Sequence, residues 1–267
     1  MDVKHVRSVK DLLPAGVDSR SHDVVGSVCV LNFKGFSVRE LRVIGEAFLR
    51  FYPKVRTVVN VVSDTRGEFR IRNVKWLAGK RDFSTVHTEN GFRFNVKLDD
   101  VFFSGRLQNE RLRVLNKVKQ GEVVVDLFAG VGPFIIPIAK RDVECWGVEK
   151  NPVAFKLLEE NCKLNKVHVN CVKGDANKVE LPCADRFVMN LPGKSVGFLP
   201  RVFELANPGA VVHFYRFAHE RDGFDVLKKE VKDASKVAGR RVRFLNFVKT
   251  GNTGPGWYRI CADFKVY

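Results

Sequence analysis

The chain is short of acidic residues, has no paired cysteine motif and contains no long apolar run. Its 30 Asp and Glu stand against 46 Lys and Arg, leaving a formal charge of +16 and a pI near 9.8. Such a deficit of negative charge favours a polyanionic partner, although a plain basic protein would show the same balance. The six cysteines, at positions 29, 145, 162, 171, 183 and 261, form no C-x-x-C and no regular framework. Most lie in apolar stretches and are expected as reduced core thiols, and no metal is expected. No hydrophobic run approaches a membrane span, and the start MDVKHVRSVKDLL lacks the apolar region of a secretory signal. The expectation is an intracellular, cytoplasmic protein that acts as a monomer. Internal repeats, long Ser/Pro/Gly linkers and low-complexity segments are also missing from the sequence.

What the sequence does contain is more than one domain's worth of pattern. The 267 residues exceed what the alternation of strands and helices from about Val101 onward requires. Residues 1–98 read as a small basic α+β domain. Residues 24–33 suggest a strand, and Ser37 looks like the N-cap of an amphipathic helix to about Phe51, with Glu40 completing a capping box. Short strands follow at 55–62, 68–72 and 92–98, separated by the turn signals Thr65-Arg66-Gly67 and Asn90-Gly91. A helix over 107–117 leads into the second domain, 99–267. Its last two strands, 241–248 and 258–266, are expected to form an antiparallel pair.

The stretch VVVDLFAGVGPF, residues 123–134, carries the most information. A β-branched run ending in Asp126 reads as a buried parallel strand, and Gly130 and Gly132 let the backbone approach a ligand. Two glycines followed by Pro133 suit an uncharged nucleoside better than the diphosphate of a G-x-G-x-x-G loop. A second strand, 144–148, delivers Glu149 about twenty residues further on, where a carboxylate can bind both ribose hydroxyls. Lys150 follows it, and Asn151-Pro152 starts a helix to about Asn165. A third strand, 168–172, is followed by Gly174-Asp175-Ala176, with Asp175 placed to meet an adenine amino group. A fourth, 186–189, ends in Asn190-Leu191-Pro192. Four strand ends carrying Asp, Glu, Asp and Asn form the pattern of an S-adenosylmethionine methyltransferase of the α/β, Rossmann-like class. The plain alternatives are an N-cap or turn acid for Asp126 and a strand-end turn residue for Asn190.

Four segments together, FFSGRLQNER, DLFAGVGPF, EKNP and MNLPGKSVGFL, resemble the archaeal and eukaryotic tRNA (guanine(37)-N1)-methyltransferases. DVVG, GEFRIRNVKWLAG and TVHTENGFRF extend the resemblance over nearly the whole chain. The family usually has Pro where Gly105 stands, and many members carry a further N-terminal domain for which no room is expected before Asp23. The small domain is therefore expected to face the tRNA by itself.

The resemblance implies methyl transfer from S-adenosylmethionine to N1 of guanosine 37, beside the anticodon. It implies Glu110 as general base, Arg70 beside the O6 charge, Asn190 on the purine edge and Pro192 in the pocket wall. Phe102 and Arg111 join Asp126, Gly130, Glu149, Lys150, Asp175, Ala176 and Asn190 as cofactor contacts. From spacing alone, Glu110 could equally be an exposed helix acid paired with Arg106 or Arg113. Arg70 and Arg72 could be solvated strand residues. Arg66, Lys75, Lys80 and Arg81 are expected to track phosphates, or to be ordinary surface charge. The rival chemistry is transfer of the cofactor's aminocarboxypropyl group in the wybutosine pathway, and the rival class is a non-catalytic RNA-binding relative. Exocyclic amino transfer would call for an aromatic after the NLP segment, and RNA C5 transfer for a cysteine beside the base.

Overall fold

A computed structural model describes residues 7–14, 16–17, 22–66, 69 and 71–267. The chain divides into two compact units, Met1–Arg106 and Leu107–Tyr267.

The first unit is a four-stranded sheet in the order β1-β2-β3-β4 with a separate hairpin, β5-β6. The strand expected over 24–33 is instead a hairpin, β1 (His22–Val25) and β2 (Val28–Leu31), with Val25 opposite Val28. Gly26 turns the chain at a φ of +55°, and a Cβ there would lie 2.2 Å from the Thr85 hydroxyl, so both the turn and the close approach require glycine. Helix α1 (Val38–Phe51) starts as expected, with Ser37 and Glu40 reciprocally capping the first turn. Its Leu41, Ile44 and Phe48 are buried in a core shared with Leu31, Val58, Leu77 and Ala78. Burying three such side chains contributes roughly 1.5–3 kcal/mol each.

Strand β3 (Thr57–Arg66) runs parallel to β2, and α1 crosses between them. The strand expected over 68–72 lies further on, as β4 (Ile71–Gly79). The apolar pair Leu77-Ala78 under α1 holds it there. Asn90-Gly91, both at positive φ, closes the hairpin between β5 (Ser84–Glu89) and β6 (Phe92–Lys97).

The second unit begins with α2 (Gln108–Leu115) and builds a seven-stranded sheet in the order β12-β13-β11-β10-β7-β8-β9. Strands β7 (Val123–Asp126), β8 (Glu144–Glu149), β9 (Asn170–Lys173), β10 (Ala184–Met189) and β11 (Ala206–His219) are parallel. The closing strands β12 (Val242–Gly254) and β13 (Trp257–Val266) pair antiparallel, as expected, and β13 runs against β11. The order reverses at β7, with β8 on one side and β10 on the other, which is where open α/β sheets bind ligands.

The helix expected directly after the glycine loop is only one turn, α3 (Ile135–Ile138). Pro137 inside it has no N–H to continue the ladder. Helix α4 (Pro152–Asn165) is capped by the Asn151 side chain and closed by Lys166 at positive φ. Helices α5 (Leu199–Leu205) and α6 (Asp225–Val237) contribute Val202, Phe203, Leu227 and Val231 to the core over the sheet. Among the described residues no helix is long and apolar enough to cross a membrane. Four cysteines are buried thiols, Cys171 is half-buried and Cys183 is exposed.

Candidate active site

The polar strand ends meet at the switch point because register puts them there. Asp126 stands opposite Gly147 on β8, and Val188 on β10 stands opposite Asp126, so Asn190 emerges two residues past that level. Asp126 is 1% exposed. Its Oδ1 accepts the Phe128 N–H at 3.1 Å, a turn contact that satisfies the plain alternative for half of the carboxylate. Its Oδ2 is buried and has no hydrogen-bond partner. Burial pushes the carboxyl up to about 7, opposed by the Phe128 amide and reinforced by the Glu149 charge. The Asn190 Oδ1 is likewise buried and without a partner. Two orphaned acceptors at adjacent strand ends cost free energy that a ligand donor can recover.

The loop after β7 is built to leave room. Gly130 sits at φ +56°, and a Cβ built on it meets nothing within 4 Å. The backbone there is held from behind, since the Gly130 N–H donates to Glu149 Oε2 at 2.8 Å and Asn161 Nδ2 donates to the Val131 carbonyl at 3.0 Å. Glu149 also accepts the Asn151 N–H on Oε1 at 2.6 Å. Burial raises its carboxyl above the usual range, and these amides pull it back. Lys150 Nζ reaches Asp175 Oδ2 at 3.1 Å, while the Asn177 N–H holds Asp175 Oδ1. Those two contacts, the amide first, keep the Asp175 carboxyl below its ordinary value. Ala176 beside it is buried. The set of orphaned acceptors, open space at Gly130 and a carboxylate behind it fits a nucleoside ligand.

Glu110 lies on α2 and is 6% exposed. The helix acid paired with Arg113 that spacing allowed is present, but it is buried. Arg113 grips the carboxylate with both arms, Nε to Oε2 and Nη2 to Oε1, each at 2.7 Å. The Tyr215 hydroxyl donates to Oε1. Arg113 also binds Asp263, which in turn takes the His213 Nδ1 at 2.7 Å. His213 Nε2 faces Arg186 Nη1 at 2.9 Å. Because a guanidinium only donates, His213 Nε2 must accept and Nδ1 must carry the proton. Burial lowers the His213 pKa, overcoming the pull of Asp263, so the ring is neutral. Arg186 closes the chain on Glu122 with bonds of 2.7 and 2.8 Å.

Burial pushes the Asp263 carboxyl up, but His213 and Arg113 outweigh it and hold the group well below the usual carboxylate range. His213, Cys261 and Asp263 have the spacing of a metal-ligand trio; two arginines already occupy it. Apart from Arg113, the i+3 neighbour of Glu110, spacing did not announce these residues. The available signal was a charged or imidazole side chain inside otherwise apolar strands, as in AVVHFY, CADFKV and DRFVMN.

Tyr215 ties this network to the rest of the site. Its ring packs on Phe134 of the glycine loop, centroids 6.0 Å apart, and its carbonyl accepts the Ser195 hydroxyl at 2.7 Å. The buried Pro192 offers its carbonyl to the Phe217 N–H at 3.3 Å, so the NLPG segment is stitched to β11. Arg111 is buried on α2 beside Glu110. Phe102 belongs to the first unit, where the Arg72 guanidinium lies 5.4 Å above its ring. Arg72 is thus not a solvated strand residue, and burial lowers its pKa. Arg70 lies outside the described residues. Gly105, the departure from the usual proline, does not use positive φ.

A family profile for the TRM5/TYW2 methyltransferase domain matches residues 85–243, and one for the TYW2 N-terminal domain matches residues 9–82. The chain belongs to the TRM5/TYW2 methyltransferase family. It is 36% identical over 251 residues to the tRNA (guanine(37)-N(1))-methyltransferase Trm5b of Pyrococcus abyssi, covering 92% of this chain and 74% of that protein. Among solved structures it is similar to the complex of aTrm5 and tRNALeu, with a TM-score of 0.84 at 31% identity over 94% of this chain and 73% of that one. It is also similar to P. horikoshii TYW2 in complex with MeSAdo, with a TM-score of 0.82 at 28% identity over 96% and 92% of the two chains. The α/β methyltransferase fold with a small preceding domain is therefore that of the TRM5/TYW2 family.

Proposed function

We propose that this protein transfers the methyl group of S-adenosylmethionine to N1 of guanosine 37 in tRNA. One observation carries the reading: Tyr215 joins a buried carboxylate, Glu110, to the glycine loop and to Ser195, two residues past the NLPG segment. In this reading the acid for proton removal is held beside the cofactor and the base. The relatives named tRNA (guanine(37)-N(1))-methyltransferase support the same chemistry.

In this reading Asp126, Gly130, Glu149, Lys150, Asp175, Ala176 and Asn190 hold the cofactor, with Phe102 and Arg111 completing its site. The cofactor supplies an electrophilic methyl group on a sulfonium. Guanine N1 carries a proton and is a poor nucleophile, so Glu110 removes that proton as general base. Arg70 balances the charge that develops on O6, which in a dry site is worth a few kcal/mol. The Asn190 amide reads the purine edge, and Pro192 shapes the wall behind it. Reaching N1 of a stacked loop base requires extruding it into the pocket. The exposed Lys75, Lys80 and Arg81 of the small unit follow the phosphates, which makes binding weaken steeply with salt. The protein works as a monomer in the cytoplasm.

The match of the first unit to a TYW2 N-terminal domain gives a second reading, aminocarboxypropyl transfer to the same nucleotide. Incubation with labelled S-adenosylmethionine and tRNA bearing G37, A37 or 4-demethylwyosine 37, the base named for the TYW2-type relatives, followed by nucleoside mass spectrometry, separates the two. The expected product is 1-methylguanosine, with G37 only. An aminocarboxypropyl adduct on the 4-demethylwyosine tRNA would establish the second reading, and methylation of the G37 and A37 transcripts alike would overturn the first.

A further inference from the structure

A carboxylate has about four acceptor sites, two on each oxygen. Among the described residues three of those on Glu110 are taken. Oε1 receives Tyr215 O–H and Arg113 Nη2, and Oε2 receives Arg113 Nε. One remains, on Oε2. The grip is itself anchored, because the same Arg113 guanidinium binds both oxygens of Asp263. Lys117 Nζ reaches Asp263 Oδ2 at 3.1 Å, and neutral His213 donates to its Oδ1. Glu110 therefore cannot rotate about its terminal bond without breaking a fork that is fixed at both ends.

We propose that Arg113 and Tyr215 are positioning residues for the reaction: by filling both sites of Oε1 and one of Oε2 they direct substrate deprotonation to the single open site on Oε2 of Glu110. This rests on the reading of Glu110 as the base. In the step, the N1–H bond of guanine breaks and its electron pair stays on the purine. An O–H bond forms at Oε2, and Glu110 passes from anion to neutral acid. Arg113 keeps Asp263 as counter-ion throughout, so proton uptake does not strand a buried guanidinium. Burial holds the Tyr215 phenol far above its ordinary value, which keeps it a donor and excludes it as the base.

The roles separate kinetically. Single-turnover methyl transfer to a G37 transcript is measured for wild type, Glu110→Gln, Tyr215→Phe and Arg113→Lys. Cofactor affinity by calorimetry, tRNA affinity by filter binding and melting temperature are measured on each. Lysine cannot span two carboxylates as the fork does, so Arg113→Lys should slow the chemical step about 100-fold and Tyr215→Phe about 10-fold. Both affinities should stay within about twofold of wild type by the same positioning argument. Tyr215→Phe deletes one hydroxyl and decides the matter if Arg113→Lys melts early. If Glu110→Gln reacts like wild type, the base reading fails and this proposal with it. If Glu110→Gln is inactive while Tyr215→Phe reacts at the wild-type rate, or loses affinity instead of rate, only the positioning role is overturned.

Discussion

Two groups of buried polar side chains lie in the same unit and are finished in opposite ways. At the strand ends, Asp126 takes one backbone N–H and leaves Oδ2 with nothing, and Asn190 Oδ1 is equally bare. Around β11 and β13, Asp263 accepts from Arg113, His213, Lys117 and Cys261, and Glu110 is gripped from two sides. The first group is held by backbone, which sets position and leaves side-chain atoms over. The second is held by side chains that neutralise one another: Glu110, Glu122 and Asp263 against Arg113, Arg186 and Lys117. A buried acid left to the backbone is a place for a ligand to finish, whereas one gripped by side chains is a fixed tool. The pKa directions follow the same division, upward for Asp126 and far downward for Asp263.

The sharpest break in this contrast comes from the completed cluster. Replacing Asp263 by Ala leaves His213 Nδ1 and Arg113 Nη1 without their acceptor in a buried site, and should cost about 3–5 kcal/mol in urea unfolding. A loss under about 1 kcal/mol would show that the network is solvated after all. The incomplete cluster should behave in the other direction. Asp126→Asn removes a charge that the fold does not compensate, so the unliganded protein should melt no lower than wild type at neutral pH. Its affinity for S-adenosylmethionine, measured by calorimetry, should fall by roughly tenfold, as expected for one lost charge-assisted hydrogen bond.

The same residue gives a pH signature with a definite sign. Asp126 titrates near 7 in the folded protein and near the model-peptide value of about 3.9 when unfolded. Between these pH values the folded state binds more protons. Its contribution to stability therefore declines as pH rises from about 4 to about 7, then levels off. Urea midpoints across that range should show this fall in wild type relative to Asp126→Asn. Cofactor affinity should move oppositely, rising as pH passes through about 7 and the carboxylate becomes an anionic acceptor. A flat affinity profile would remove Asp126 from the site. The smallest effect belongs to Lys150→Ala, where loss of the half-exposed pair with Asp175 should change stability by less than about 1 kcal/mol, with the folded baseline unaltered.

How far the sequence foretold all this follows the range of the interactions. Strands β7 to β10 and the polar residues at their ends were readable because an apolar run and the turn after it are local. The Ser37–Glu40 cap was readable for the same reason. The β1–β2 hairpin was not, because one glycine in an apolar run looks like part of a single strand until its φ is known. Strand β11 was missed at Pro208-Gly209, where the structure accommodates the break as a bulge between Ala206 and Val211 opposite β10. Beyond the i+3 pair with Arg113, the network around Glu110 was out of reach, since Arg113 and Asp263 are 150 positions apart. Only a fold brings such residues together.

The central claim is that the incomplete Asp126 binds and the side-chain-gripped Glu110 reacts, and a paired measurement on two variants tests it most directly. Calorimetric affinity for S-adenosylmethionine and the single-turnover rate at saturating cofactor would be determined for Asp126→Asn and Glu110→Gln with a G37 transcript. The account predicts a crossed result. Asp126→Asn binds about tenfold more weakly and then reacts within a few-fold of wild type, whereas Glu110→Gln binds normally and reacts at least about 100-fold more slowly. If both variants lose binding, or Glu110→Gln reacts normally, the division between the two clusters is wrong.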